Sequence, residues 1–481
     1  MPLIKVAAFA AALFVFASVS TKASAQHEGM PGMGDTTKKK APAKPKAGKS
    51  KPATRKPTPK PRTDTMAMPL TMPATMRVHV GHDMMSGPLS IPMDRMGSGT
   101  TWIPDAVSLP SRNRMIGQWE VMTHGFVFGQ YDKQNGPGGD DQLGSLNWGM
   151  LMASHELAGG HFQARTMLSL DPATVTAKGY PLLLQSGEAY HGQPLHDRQH
   201  PHDFFMELGA LYQREFNSRL AWSIYAAPSG EPALGPVAFM HRPSAMDNPS
   251  APLGHHWQDA THVSFGVLTG GVFNRRWQLE ASAFNGREPD DHRWNFDPIR
   301  LDSYSGRITL NPSANWSLSA GIGYLDSPEA LHPEESMHRF TASIMQGRKL
   351  DESGQTATAL IWGTNRPSGS SPTTHSVLLE NETIFDPKNT FFGRAEFVQK
   401  TGDDLAIAAA SESIFNVGAL ELGYIREIAR GRWATLGIGG AATLNFVPEP
   451  LLEAYGSRTP MGTLVFLRLR PFHMTMSSMS Q

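Results

Sequence analysis

The chain has 481 residues, of which 18% are charged, with 43 Lys+Arg against 43 Asp+Glu, 46 Gly, 37 Pro and no cysteine. The lack of cysteine excludes a disulfide scaffold, a thiolate zinc site and a thiol nucleophile. After Gln26 no apolar run reaches the ~18 residues of a membrane helix, so none is expected in the mature chain.

The first elements are targeting and tether. Residues 1–25 read as a secretory signal: Lys5 is the basic start, Val6 to Val19 the apolar stretch, and Ala23-Ser24-Ala25 the cleavage site. Residues 26–63 form a Lys/Pro/Ala-rich tether. Between Lys38 and Arg62 stand eleven basic residues and six prolines with no acid. Such a stretch buries too little apolar surface to offset its ordering entropy, so a disordered, solvated spacer is expected. From Asp64 onward 30 Lys+Arg face 41 Asp+Glu. The remainder is acidic, which argues against nucleic-acid binding.

Residues 64–113 are a Met/His-rich leader. Met66, Met68, Met72, Met76, Met84, Met85, Met93 and Met96 fall within 31 residues, with His79 and His82 among them. They follow no helical or strand period. Thioethers with imidazoles suit copper, above all Cu(I), so these ten are candidate ligands. Met474 and Met476, in the tail 473–481, repeat the composition. A Met-biased leader that binds nothing fits the same pattern. In composition, over Met30–Met96, the leader resembles that of copper resistance protein B, which is likewise exported and followed by a barrel. The resemblance implies periplasmic copper binding linked to copper tolerance.

From residue 114 to 472 the pattern is alternation. Trp316 to Tyr324 places an apolar residue at every second position, with Ser or Gly between. Leu220/Trp222/Ile224, Phe162/Ala164/Thr166/Leu168 and Met206/Leu208/Ala210/Tyr212 form similar faces. Sixteen strands are expected, centred near residues 124, 150, 166, 209, 223, 267, 281, 307, 320, 343, 361, 379, 395, 421, 438 and 466. Tight turns such as Ala158-Gly159-Gly160 and Asn274-Arg275 alternate with long connections such as Asp171–Asp203 and Ala227–Ala260. That rhythm resembles a bacterial outer-membrane porin-like barrel: all-β, antiparallel, up-and-down, with periplasmic termini and long loops facing outward. The face opposite the apolar one carries Arg165, Glu207, Glu280, Arg307, Glu380, Glu382, Arg394, Glu396, Arg468 and Arg470. These charges are expected to line a wide, wet lumen.

Eight of the 19 histidines fall within residues 191–262. His196, His200, His202, His255 and His256, with aspartates nearby, make a candidate zinc, nickel or copper site. Alternatively, His–Asp pairs pin a loop folded into the lumen. No Gly-x-Ser-x-Gly elbow or His-Glu-x-x-His helix is present, and no enzyme is expected. The expected function is passage of small solutes or metal ions across the outer-membrane lipid bilayer, with copper as a possible ligand. Non-conducting surface barrels and organic-solute porins share the pattern, and by analogy with such porins a homotrimer is expected.

Overall fold

The computed structural model describes residues 86–351 and 353–471. The signal, the tether, the leader as far as Met85, and Met474 and Met476 lie outside the described residues. The first strands are β1 (Ser111–Ile116), β2 (Trp119–Gln134), β3 (Asp141–Leu157) and β4 (Gly160–Leu168). A hairpin of β5 (Tyr180–Tyr190) and β6 (Gln193–Gln199) pairs only with itself. Then come β7 (Phe205–Asn217), β8 (Leu220–Gly230), β9 (Ser264–Phe273), β10 (Trp277–Phe284), β11 (Ser303–Ser313) and β12 (Trp316–Leu325). The chain finishes with β13 (Met337–Lys349), β14 (Gln355–Pro367), β15 (Thr374–Asp386), β16 (Asn389–Thr401), β17 (Ile414–Arg430), β18 (Thr435–Phe446) and β19 (Met461–Arg470).

β2–β4 and β7–β19 pair antiparallel in chain order, and β19 returns to β2, closing a barrel of sixteen strands. Every expected strand centre falls inside one of them. β1 is an addition. It takes the first half of β2, Trp119–His124, below the Val127–Leu469 pairing that closes the ring.

One rim is made of tight turns, and three of them share a device. The side-chain oxygens of Asn217, Asn274 and Asp386 each accept two backbone N–H groups from the residues that follow. These Asx turns stop one strand and start the next within two or three residues. The other rim carries the long connections.

Alternation decides the faces. In β19, Val465, Leu467 and Leu469 point out, while Leu464, Phe466, Arg468 and Arg470 are buried. Around the ring Leu151, Leu268, Ile322, Leu360, Leu422, Ile438, Val465 and Leu467 are 44–58% exposed. Exposed aromatics stand near both rims, Trp119, Trp316, Phe385 and Phe391 at the turns and Tyr131 and Tyr304 near the loops. An apolar band between aromatic girdles is the exterior that lipid solvates.

The interior departs from the expected wet lumen. Every residue from Glu231 to Val263, the connection from β8 to β9, is buried. It runs inside the barrel instead of facing outward. Residues 86–110 enter as well, and the two segments brace each other where Ala238 N donates to Ser98 Oγ at 2.8 Å. The leader therefore does not end outside the barrel; its last part is inside.

The lumen charges are thus buried and paired, not solvated. Arg242 reaches Glu380 at 2.5 Å and Asp259 at 3.3 Å. Arg394 donates to the Ser250 carbonyl and lies 3.3 Å from Glu380. Arg468 and Arg470 both face Asp247, at 2.5 and 3.3 Å. Glu382 accepts from Asp247 N and Glu396 from Gly254 N. On the other wall Arg307 joins Glu280 at 2.9 Å and donates to Thr100 Oγ1 at 3.0 Å, and Arg165 donates to the Gly99 carbonyl and lies 3.5 Å from Glu207. The physical reason is desolvation. Once two segments displace water, each wall charge needs a partner, and the inserted chain provides it.

Candidate metal centre in the lumen

The inserted connection carries a single helical turn, His255–Gln258, started by Pro252-Leu253-Gly254. His255 donates from Nδ1 to Asp259 Oδ1 at 2.7 Å, one turn on. Trp257 Nε1 donates to Thr374 Oγ1 at 2.8 Å, and Asn365 donates to the His256 carbonyl at 3.0 Å, fixing the turn against β14 and β15. His200, just beyond β6, comes from the connection between β4 and β7. One ring nitrogen from each of His200, His255 and His256 lies within 4.8 Å of the others. Nitrogens on one tetrahedral ion at 2.0–2.1 Å stand about 3.3 Å apart, so each ring closes by up to about 1 Å.

The rings are oriented for this. His256 donates from Nδ1 to Glu288 Oε1 at 3.1 Å, and His200 Nδ1 to the Pro201 carbonyl at 3.1 Å. With His255 on Asp259, all three have Nδ1 beside an acceptor, and the tautomer this favours leaves a lone pair on Nε2 of His255 and His256. A further carboxylate, Glu188, lies 3.0 Å from His200 Nε2 and is itself held by Arg293.

Burial holds the imidazolium of His200 well below its usual range, with the charge of Arg293 and the neighbouring histidines adding to it. Burial likewise lowers His255, though Asp259 opposes it. Burial acts to raise Glu288, but His256 and Arg339 outweigh it and keep the carboxylate below its ordinary range. Burial pushes Glu188 the other way, up to about 8, so the two carboxyls at the trio differ in charge.

Two adjoining cavities of about 220 and 170 Å³ lie among the long loops and share Gly187, Glu329, His332, Asp403 and Asp404. His256 borders the first, and Glu188, Glu288, Asp290 and Asp291 border the second. Carboxylates in a confined vestibule focus the field and raise the local concentration of cations. His256 stands at its inner wall.

Of the five loop histidines expected to hold metal, the structure brings three together. His196 is exposed and faces Asp197 at 3.3 Å, outside the trio. His202 donates to Asp171 Oδ2 at 2.8 Å, and its ring lies 5.6 Å from His262. Met93 is buried, and the Met96 sulfur accepts from Arg165 Nη2 at 3.6 Å. The alternative, His–Asp pairs pinning an inserted loop, is also present at His255–Asp259 and His202–Asp171. Sequence reading missed Glu188 and Glu288 as partners, because only the folded hairpin and loops bring them to the rings.

No protein-family model and no curated protein matches the sequence. Among solved structures the chain is similar to Salmonella typhi OmpF in complex with daunomycin, at 9% identity and TM-score 0.47, over 75% of this chain and all of that one. It is similar also to an anion-selective porin from Comamonas acidovorans (11% identity, TM-score 0.43, 74% of this chain, 100% of that one). A third is the outer membrane channel DcaP of Acinetobacter baumannii (10% identity, TM-score 0.42, 74% of this chain, 99% of that one). At these scores the likeness is one of general shape alone.

Proposed function

We propose that the chain is an outer-membrane barrel that admits transition-metal ions through a filled lumen, from the acidic vestibule to the histidines inside. The observation that carries this reading is the trio His200, His255 and His256, with each Nδ1 beside an acceptor and an acidic antechamber in front. Ions would move by ligand exchange between neighbouring imidazoles, since a filled interior leaves no wide aqueous path. The histidine rings continue inward: His255–His262 and His202–His262 centroids are 5.1 and 5.6 Å apart, and His241–His124 5.2 Å. Copper is the ion that the thioethers and imidazoles of the leader favour, which supports a link to copper tolerance.

The test is metal entry into liposomes carrying the refolded protein and a trapped metal-sensitive dye. Copper or zinc entry that falls at least tenfold in His200→Ala/His255→Ala/His256→Ala supports the reading. Equal entry in both proteins would sink it. A barrel that passes no ion at all is the non-conducting alternative, which the filled lumen also favours.

A further inference from the structure

Deeper in the lumen lies a third cavity, with about 20 Å³ of space for the centre of a water-sized sphere, room for one atom-sized guest. Its lining includes Met167, Met206, Met240, His241 and His262. The five come from three places: β4, the start of β7, and the inserted connection. All are at least nine-tenths buried.

Met206 reaches this cavity through a departure from the strand pattern. By alternation it belongs with Leu208, Ala210 and Tyr212 on the lipid face. Between β4 and β7, however, Met167 pairs with Glu207 and Leu168 with Phe205, so Met206 is skipped. An extra residue of this kind re-aims its side chain, and Met206 is 2% exposed while Leu208 is 40% exposed. The apolar face expected from the sequence is corrected at this one position.

The histidines give the second observation. His262 donates from Nδ1 to the Asp259 carbonyl at 2.8 Å, which orients the ring and leaves Nε2 with its lone pair. Nε2 of His262 and Nε2 of His241 are both buried without a hydrogen-bond partner. A core packed only for hydrophobic contact would not strand two imidazole nitrogens beside three thioethers. Ser98, Glu207 and Glu231 add polar groups to the lining.

We propose that Met167, Met206, Met240, His241 and His262 form a binding site for a soft monovalent cation, Cu(I), or its redox-inert analogue Ag(I). Thioether sulfur prefers such ions over Zn(II), and neutral imidazole completes the set. The site deepens the metal-entry reading and rests on it for its role in passage, yet it binds independently of the outer trio. It is the inner, soft station behind an outer one built of nitrogen and oxygen.

The experiment is titration of the full-length refolded protein with Ag(I), followed by titration with Co(II), whose absorption reports the outer trio. Met167→Leu/Met206→Leu/Met240→Leu keeps volume and hydrophobicity. It should lose one equivalent of tight Ag(I) per chain while Co(II) binding stays intact, which also shows that the variant folds. If it does not fold, His241→Gln/His262→Gln serves, with at least a tenfold weakening of that one equivalent expected. Unchanged Ag(I) stoichiometry and affinity in a folded variant would mean that the cavity holds only water, and would overturn the proposal. Loss of Co(II) binding in His200→Ala/His255→Ala/His256→Ala, with Ag(I) retained, separates the two stations; absent Co(II) binding in the wild type with Ag(I) retained would fault the outer reading alone.

Discussion

Arg242 holds the inserted connection to the wall, and its removal measures how firmly the barrel is closed. The side chain is fully buried between Glu380 of β15 and Asp259. Breaking a buried pair by deleting one partner costs about 3–5 kcal/mol, because the remaining charges are left uncompensated. Both carboxylates keep other donors here. Asp259 retains His255 Nδ1 and Phe239 N, and Glu380 retains Ser244 Oγ and Arg394. The lower end, about 3 kcal/mol, therefore applies to Arg242→Met, and it corresponds to roughly a hundredfold rise in the open fraction. Planar-bilayer recording is the assay. Wild-type protein should be silent or nearly so, and Arg242→Met should show discrete openings with an open-time fraction about a hundred times larger. Equal silence, or a wild type that already conducts like an empty sixteen-stranded barrel, would refute the argument that the inserted chain closes the lumen through this pair.

Three further outcomes are expected. Glu288→Gln keeps an acceptor for His256 Nδ1 but removes its charge, and should weaken metal binding at the outer trio by about 10- to 100-fold in a Co(II) titration. Deleting residues 236–260 should convert the protein to a conducting pore of much larger unit conductance, since that stretch fills the interior; an unchanged trace would mean the lumen is closed elsewhere. Trypsin added to intact cells should cut at the exposed Lys178, spare the buried Arg242 and leave the Lys38–Arg62 tether whole. Cleavage in the tether would reverse the orientation in which the long loops face outward.

The barrel was legible because lipid and a crowded interior impose opposite chemistries on successive residues. Trp316 to Tyr324 and Val465 to Leu469 show that contrast directly, and every barrel strand could be placed from it. The β5–β6 hairpin was not legible: Leu182-Leu183-Leu184 is a continuous apolar run, buried in one cluster with residues of β2, β3 and the inserted connection and never half-exposed. Insertion of residues 231–263 was written in the sequence only indirectly. Arg468 and Arg470 on the inner face need an acid, and Asp247 of the long connection is where one was available. The trio was half legible. Clustered histidines marked the loops, but a hairpin and a helical turn decided that His200 would join His255 and His256 while His196 and His202 would not. Met206 could not be read at all, since a bulge depends on how β7 registers against β4.

The most direct test of the account is a Co(II) absorption titration of the refolded full-length protein beside His200→Ala/His255→Ala/His256→Ala. The account predicts a saturable, nitrogen-rich Co(II) spectrum in the wild type that disappears from the triple variant while the barrel stays folded. The same spectrum at the same affinity in both proteins would contradict it, and would remove the metal from the lumen.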